Sequence, residues 1–188
     1  MTFPAPVDRT VAGQLARDGI ECRFRASPHY NERMPGRPVD VLVLHYTALS
    51  LSATLAHFAS PASRVSTHFV IGREGELSQH VSLEKRAWHA GASELFGEGD
   101  VNSRSIGIDL VFVPGRDGGY SGRQMEVLTA LGRALLASFP IRRDGIVGHE
   151  HVAMPRGRKK DPGRWLDWQR VYRDLGLGSP PPIVTSPS

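Results

Sequence analysis

The sequence predicts an α/β single domain with a central mixed β-sheet flanked by helices. Three observations carry that expectation. Val39 to His45 and Ser105 to Val113 are nearly unbroken branched apolar runs, as in strands covered on both faces. Segments of helical spacing lie between and after them. One hairpin pattern sits among longer crossovers, which mixes antiparallel with parallel pairing. The chain has 188 residues, 40% hydrophobic and 22% charged, enough apolar material for one ordinary core and too little for a second.

Taken in order, the first 38 residues carry Pro4, Pro6, Pro28, Pro35 and Pro38 without a sustained period. They are expected to form an irregular arm, with the domain at 39–176 and a disordered tail at 177–188. Val39 to His45 is the first buried strand and ends on a histidine. Ser50 stands as the N-cap of a helix with Leu51, Leu55 and Phe58 on one side. Two short apolar pieces within 67–81 flank Arg73-Glu74-Gly75-Glu76, a hairpin with glycine at its turn. Ser105 to Val113 is the second buried strand, followed by a loop at 114–119. Ser121 with Gln124 forms a capping box for a helix bearing Met125, Leu128, Leu131, Leu135 and Leu136, which Pro140 stops. A short strand at 145–149 ends on a further histidine. Trp165, Trp168, Val171, Tyr172 and Leu175 mark a last amphipathic helix, closed by Gly176.

Charge and cysteine content narrow the function. Lys and Arg number 23 against 19 Asp and Glu, a net +4 that fits an anionic partner without requiring one. The single cysteine, Cys22, excludes a disulfide framework and a cysteine-based metal cage. No apolar run approaches the roughly 18 residues of a membrane span, and Asp8, Arg9, Arg17 and Asp18 interrupt the stretch where a signal peptide would be apolar. A cytoplasmic location is therefore expected. The basic run Arg156 to Lys160 has no interleaved aromatics, so no nucleic-acid partner is expected.

His45 and His149 sit at the ends of expected buried strands, where a rigid base projects side chains into a cleft mouth. Asp161 follows His149 at a distance of twelve residues, directly before Pro162. Two neutral imidazoles and a carboxylate bind Zn²⁺ while leaving a fourth position for water, the catalytic rather than the structural arrangement. Spacing alone leaves the bland alternative open, since a lone strand-end histidine is more often a hydrogen-bonded structural group. His29, His57 and His80 are read that way. So is His151, although a position two residues from His149 on one strand would let it compete for the metal.

Six segments in order carry a resemblance: Val43 to Thr47 (VLHYT), Val65 to Phe69 (VSTHF), Arg86 to Gly91 (RAWHAG), Asn102 to Ile108 (NSRSIGI), Val147 to His149 (VGH) and Lys159 to Gly163 (KKDPG). Over roughly residues 39–173 the chain resembles the zinc-dependent N-acetylmuramoyl-L-alanine amidases of the amidase type 2 family. More distantly it is similar to phage lysozyme-like amidases and animal peptidoglycan recognition proteins. The resemblance implies zinc in a surface groove, held by His45, His149 and Asp161, with Lys159 as catalytic lysine. It places His68, Trp88, His89 and Asn102 along the substrate groove. Asp109 falls where the bacterial enzymes usually carry glutamate, so the base would be shorter by one methylene.

The implied reaction is hydrolysis of the amide between the lactyl group of N-acetylmuramic or 1,6-anhydro-N-acetylmuramic acid and L-alanine, in peptidoglycan or a muropeptide fragment. The phage-type relatives reach the wall without a leader, so access to it stays open. A non-catalytic peptidoglycan-binding module of the same fold is the alternative. Only Asp109 favours it, because such modules typically lack a metal ligand and this chain carries all three.

Overall fold

The computed structural model describes residues 9–185. In chain order its elements are α1 (Arg9–Arg17), β1 (Cys22–Phe24), β2 (Tyr30–Glu32), β3 (Val41–Tyr46), α2 (Leu51–Ala59), β4 (Phe69–Ile71), β5 (Leu77–Gln79), β6 (Lys85–Ala87), β7 (Glu94–Leu95), β8 (Glu98–Gly99), β9 (Ser105–Leu110), α3 (Gly122–Ser138), β10 (Ile146–Gly148), α4 (His149–Val152), α5 (Trp168–Asp174) and α6 (Pro182–Thr185). Six strands form the main sheet in the order β1-β5-β4-β9-β3-β10. All its pairings are parallel except the β4–β5 hairpin. The expected α/β architecture with a mixed central sheet is the one observed.

Register decides what the sheet presents. Side chains of a parallel pair at matched positions share a face. His45 is matched to Asp109, and Asp109 to Val70, so the histidine and the carboxylate emerge side by side from adjacent central strands. On the opposite face of β4, Phe69 and Ile71 join the main core with Ile106, Ile108 and Leu110. α2 covers the Val70 side, where Phe58 packs against Val70 and Val111. Its N-cap is Ser50, whose side chain accepts from the Ala53 N–H.

α3 begins with the capping box anticipated from Ser121 and Gln124. The same Gln124 is fully buried and donates through Nε2 to the carbonyls of Val111 (2.8 Å) and Ile71 (3.3 Å). One residue thus caps the helix and fastens it to the last residue of β4 and the residue that follows β9. α5 approaches α3 at Gly132, where a β-carbon would lie 2.7 Å from a Leu175 methyl.

Four expectations are corrected. Of the segment expected as an irregular arm at 1–38, residues 1–8 lie outside the described residues, and the remainder carries α1, β1 and β2. Val11 and Leu15, spaced i,i+4, are fully buried in the core, and β1 adds an edge strand to β5. Three-residue strands and a two-turn helix are too short to show a period. Part of the segment expected as a disordered tail is α6, with Val184 buried, while 186–188 lie outside the described residues. The strand expected at 145–149 ends at Gly148, and His149 opens α4. Trp165 precedes α5, whose N-cap is Asp167. No described helix is long and apolar enough to cross a membrane.

Candidate metal centre

Three elements deliver three donors to one point. His45 comes from the C-terminal end of β3, His149 from the first position after β10, and Asp161 from the loop beyond α4. All three are buried, at 3%, 4% and 8% exposure. The local chain path explains the convergence. Gly148 lets the Asp161-Pro162 loop lie against the end of β10, because a β-carbon there would sit 2.4 Å from Pro162 Cδ. The Glu150 N–H then donates to the Asp161 carbonyl at 2.9 Å, and the Gly163 N–H to Glu150 Oε1 at 3.3 Å.

His45 Nδ1 lies 2.9 Å from Asp161 Oδ2, His149 Nδ1 lies 3.1 Å from the same oxygen, and the two Nδ1 atoms are 3.1 Å apart. A tetrahedral ion with bonds of about 2.0–2.1 Å spaces its donors about 3.3 Å apart, so the triangle fits such an ion with little adjustment. The remaining ring nitrogens point away. His149 Nε2–H donates to the Ala90 carbonyl at 3.1 Å, which leaves Nδ1 with its lone pair inward. Lone pairs aimed at one another in a buried site are costly without positive charge between them, and a divalent cation supplies that charge.

Protonation of the cluster follows from burial and neighbours. Burial opposes the charged form of His45, yet Asp109 and Asp161 together hold its pKa above the ordinary value. Burial opposes the charged form of Asp161 as well, but hydrogen bonds from His149 and His45 outweigh it and keep the carboxyl well below the usual range. Asp109 is buried at 7% exposure, and burial pushes its carboxyl up against the pull of His45 and Thr67. A carboxylate raised in this way holds a proton more readily than an exposed one.

The donors open onto a cavity of about 520 Å³ whose wall includes Asp109, Trp88, Arg158, Lys159 and Lys160. Trp88 is half-buried, with its Nε1–H donating to Asn31 and its ring 5.3 Å from that of His29. His89 touches the cavity but has both nitrogens engaged, Nδ1 with His45 and Nε2 with Ser105 Oγ, each at 3.1 Å. His68 and Asn102 are not part of the wall. His68 is fully buried, accepts the Gly107 N–H at 3.0 Å and donates to the Lys85 carbonyl at 3.1 Å, and burial together with Arg33 lowers its pKa to about 3. The Asn102 side-chain oxygen Oδ1 accepts the N–H groups of His89 (3.2 Å) and Ala90 (2.8 Å).

His151 does not enter the donor set. Because α4 is a helical turn rather than a strand, its ring turns back, accepts the Gly148 N–H at 2.8 Å and packs 5.6 Å from Trp168. Arg33 escaped sequence reasoning, and Arg158 entered it only as part of the basic run 156–160, whose arginines would attract peptide carboxylates. Arg33, directly after β2, donates to the carbonyls of Leu83 and Ser105, both at 2.9 Å. Arg158 is not a free cation, since it donates to the carbonyls of Met154 (2.8 Å), Ala90 (3.1 Å) and Ala92 (2.7 Å). Carbonyl acceptors leave no mark on sequence.

A family model described as N-acetylmuramoyl-L-alanine amidase matches residues 35–164. The 1,6-anhydro-N-acetylmuramyl-L-alanine amidase AmpD of Salmonella typhimurium (strain SL1344) is 37% identical over 179 residues, covering 85% of this chain and 93% of AmpD. Among solved structures, a selenomethionine AmpD derivative matches with a TM-score of 0.69 at 33% identity, over 82% of this chain and 94% of that one. The amidase AmiD from E. coli, in complex with anhydro-N-acetylmuramic acid-L-Ala-D-gamma-Glu-L-Lys, matches with a TM-score of 0.68 at 27% identity, over 79% of this chain and 62% of that one.

Proposed function

The chain belongs to the N-acetylmuramoyl-L-alanine amidase family, and from that premise we propose that it is a zinc hydrolase acting on anhydromuramoyl peptides, with His45, His149 and Asp161 as the metal ligands. The observation that carries this reading is the buried triangle of two Nδ1 atoms and one carboxylate oxygen, with Asp109 matched to His45 on the neighbouring strand. Two imidazoles and one carboxylate favour zinc and leave a position free for water. The fragment substrate is supported by the AmpD relatives and by the anhydromuramoyl peptide bound to AmiD.

Bound by these three donors, a zinc ion supplies Lewis acidity toward the amide carbonyl and brings the pKa of water toward about 7. Asp109 takes the proton from the attacking water and passes it to the departing L-alanine nitrogen as the carbon–nitrogen bond breaks. Lys159, on the cavity wall, donates to the carbonyl oxygen as charge develops there, worth about 3 kcal/mol for one well-placed donor. Products are the muramoyl acid and a peptide with a free L-alanine amine. Trp88 offers an apolar face to the fragment, and Lys160 a cation to a peptide carboxylate.

Incubation of the zinc-loaded protein with a purified anhydromuropeptide, followed by mass spectrometry, tests the reading. Release of a peptide beginning with L-alanine is expected. Intact substrate, with zinc bound and the fold preserved, would overturn it in favour of a peptidoglycan-binding module.

A further inference from the structure

We infer that His89 is a positioning residue of the metal centre, fixing ligand His45 from behind, and that the His89-Ala90 dipeptide sets the tautomers of both ligand histidines. The inference rests on the metal-centre reading above and concerns the residues that stand behind it. His89 Nδ1 lies 3.1 Å from His45 Nε2, and the next residue's carbonyl lies 3.1 Å from His149 Nε2. Two adjacent residues therefore address the outward nitrogens of both imidazoles.

The protons can be followed around the chain of contacts. For His45 to present a bare Nδ1 to a cation, its Nε2 must carry the hydrogen. His89 Nδ1 then accepts that hydrogen, and His89 Nε2–H donates to Ser105 Oγ at 3.1 Å. This assignment leaves neither His89 nitrogen free to bind substrate. The ring has room only because residue 107 lacks a side chain, since a β-carbon at Gly107 would lie 2.6 Å from His89 Cγ. The glycine of the Ser-Ile-Gly-Ile strand is thus a seat for this imidazole.

The dipeptide is itself held from two sides. Asn102 Oδ1 accepts both of its N–H groups, at 3.2 and 2.8 Å, and Arg158 Nη2 donates to the Ala90 carbonyl that also receives His149. His89 and Asn102 accordingly act on the metal rather than on the sugar or peptide.

The test is a zinc competition titration against a chromophoric chelator, on wild type and on His89→Ala, with KM and kcat measured in excess zinc. His89→Ala should weaken zinc binding by about tenfold to a hundredfold, while KM in excess zinc stays near the wild-type value. Ser105→Ala, which keeps the ring and removes only its far acceptor, should weaken zinc binding by a smaller factor. Unchanged zinc affinity with a raised KM would make His89 a substrate contact and overturn the inference. Unchanged zinc affinity with only a lowered apoprotein melting temperature would reduce it to packing and do the same. If His89→Ala does not fold, the decision passes to Ser105→Ala, where wild-type zinc affinity would overturn the inference. Failure of the wild type itself to bind zinc would instead remove the metal centre, a result distinguishable from all of these.

Discussion

In the proposed mechanism Asp109 and Lys159 divide the chemistry between them, and single substitutions separate their parts. Asp109→Asn keeps shape and hydrogen bonding but cannot take a proton, so kcat should fall by about 10²–10⁴-fold in a steady-state assay. Lys159→Ala should lower kcat by about 10²-fold, with zinc content by atomic absorption still near one per chain. Loss of zinc in that variant would refute the assigned role. Asp109 was identifiable in the sequence as the carboxylate of the Ser-Ile-Gly-Ile-Asp strand. Its placement beside His45 was not, because the match of these two positions depends on strand pairing across 64 residues of separation, the difference 109 − 45. His68 and Asn102 show the reverse limit. Their motifs marked them as belonging to the site, but a motif does not tell a side chain in the groove from one pinned beneath it.

At the scale of elements, what sequence revealed tracked element length. β3, β9 and α3 are six, six and seventeen residues long, and each announced itself through an apolar run or a capping box. The segment before β3 did not, although Leu15 of α1 is fully buried. Leu15→Ala should therefore destabilise the protein by about 2–5 kcal/mol in urea unfolding, the range for a cavity in a packed core. A cost near zero would return the segment to a loose arm. Removing the α3 cap with Ser121→Ala should cost about 1 kcal/mol by the same measurement. The hydroxyl also donates to the Arg73 carbonyl, at 2.5 Å, so the loss extends to the β4–β5 turn. The turn at 149–152 resisted sequence reading for another reason. A four-residue helix has no period, and Gly148 with His149 reads equally well as a strand end.

Over the whole molecule, buried histidines tie stability to pH. Burial and Arg25 lower the pKa of His80 to about 4, and burial and Arg156 lower that of His151 to about 4, from an ordinary value of 6.5. The unfolded chain binds these protons first, so stability is greatest above the ordinary value. It falls as pH drops from about 6.5 toward about 4, then levels with respect to these two groups. Urea midpoints of the zinc-free protein should fall over that interval, and on toward about 3 as His68 adds its share. His80→Gln should flatten part of it, and an unchanged slope would exclude His80 as a source. Metal acts on the same balance from the other side, because an ion bound only by the native state raises the melting temperature. Equilibrium dialysis of metal-free protein against zinc tests the central claim most directly. One ion per chain is predicted for the wild type and none at the same free zinc for Asp161→Ala. Equal binding by both proteins, or none by either, would contradict it.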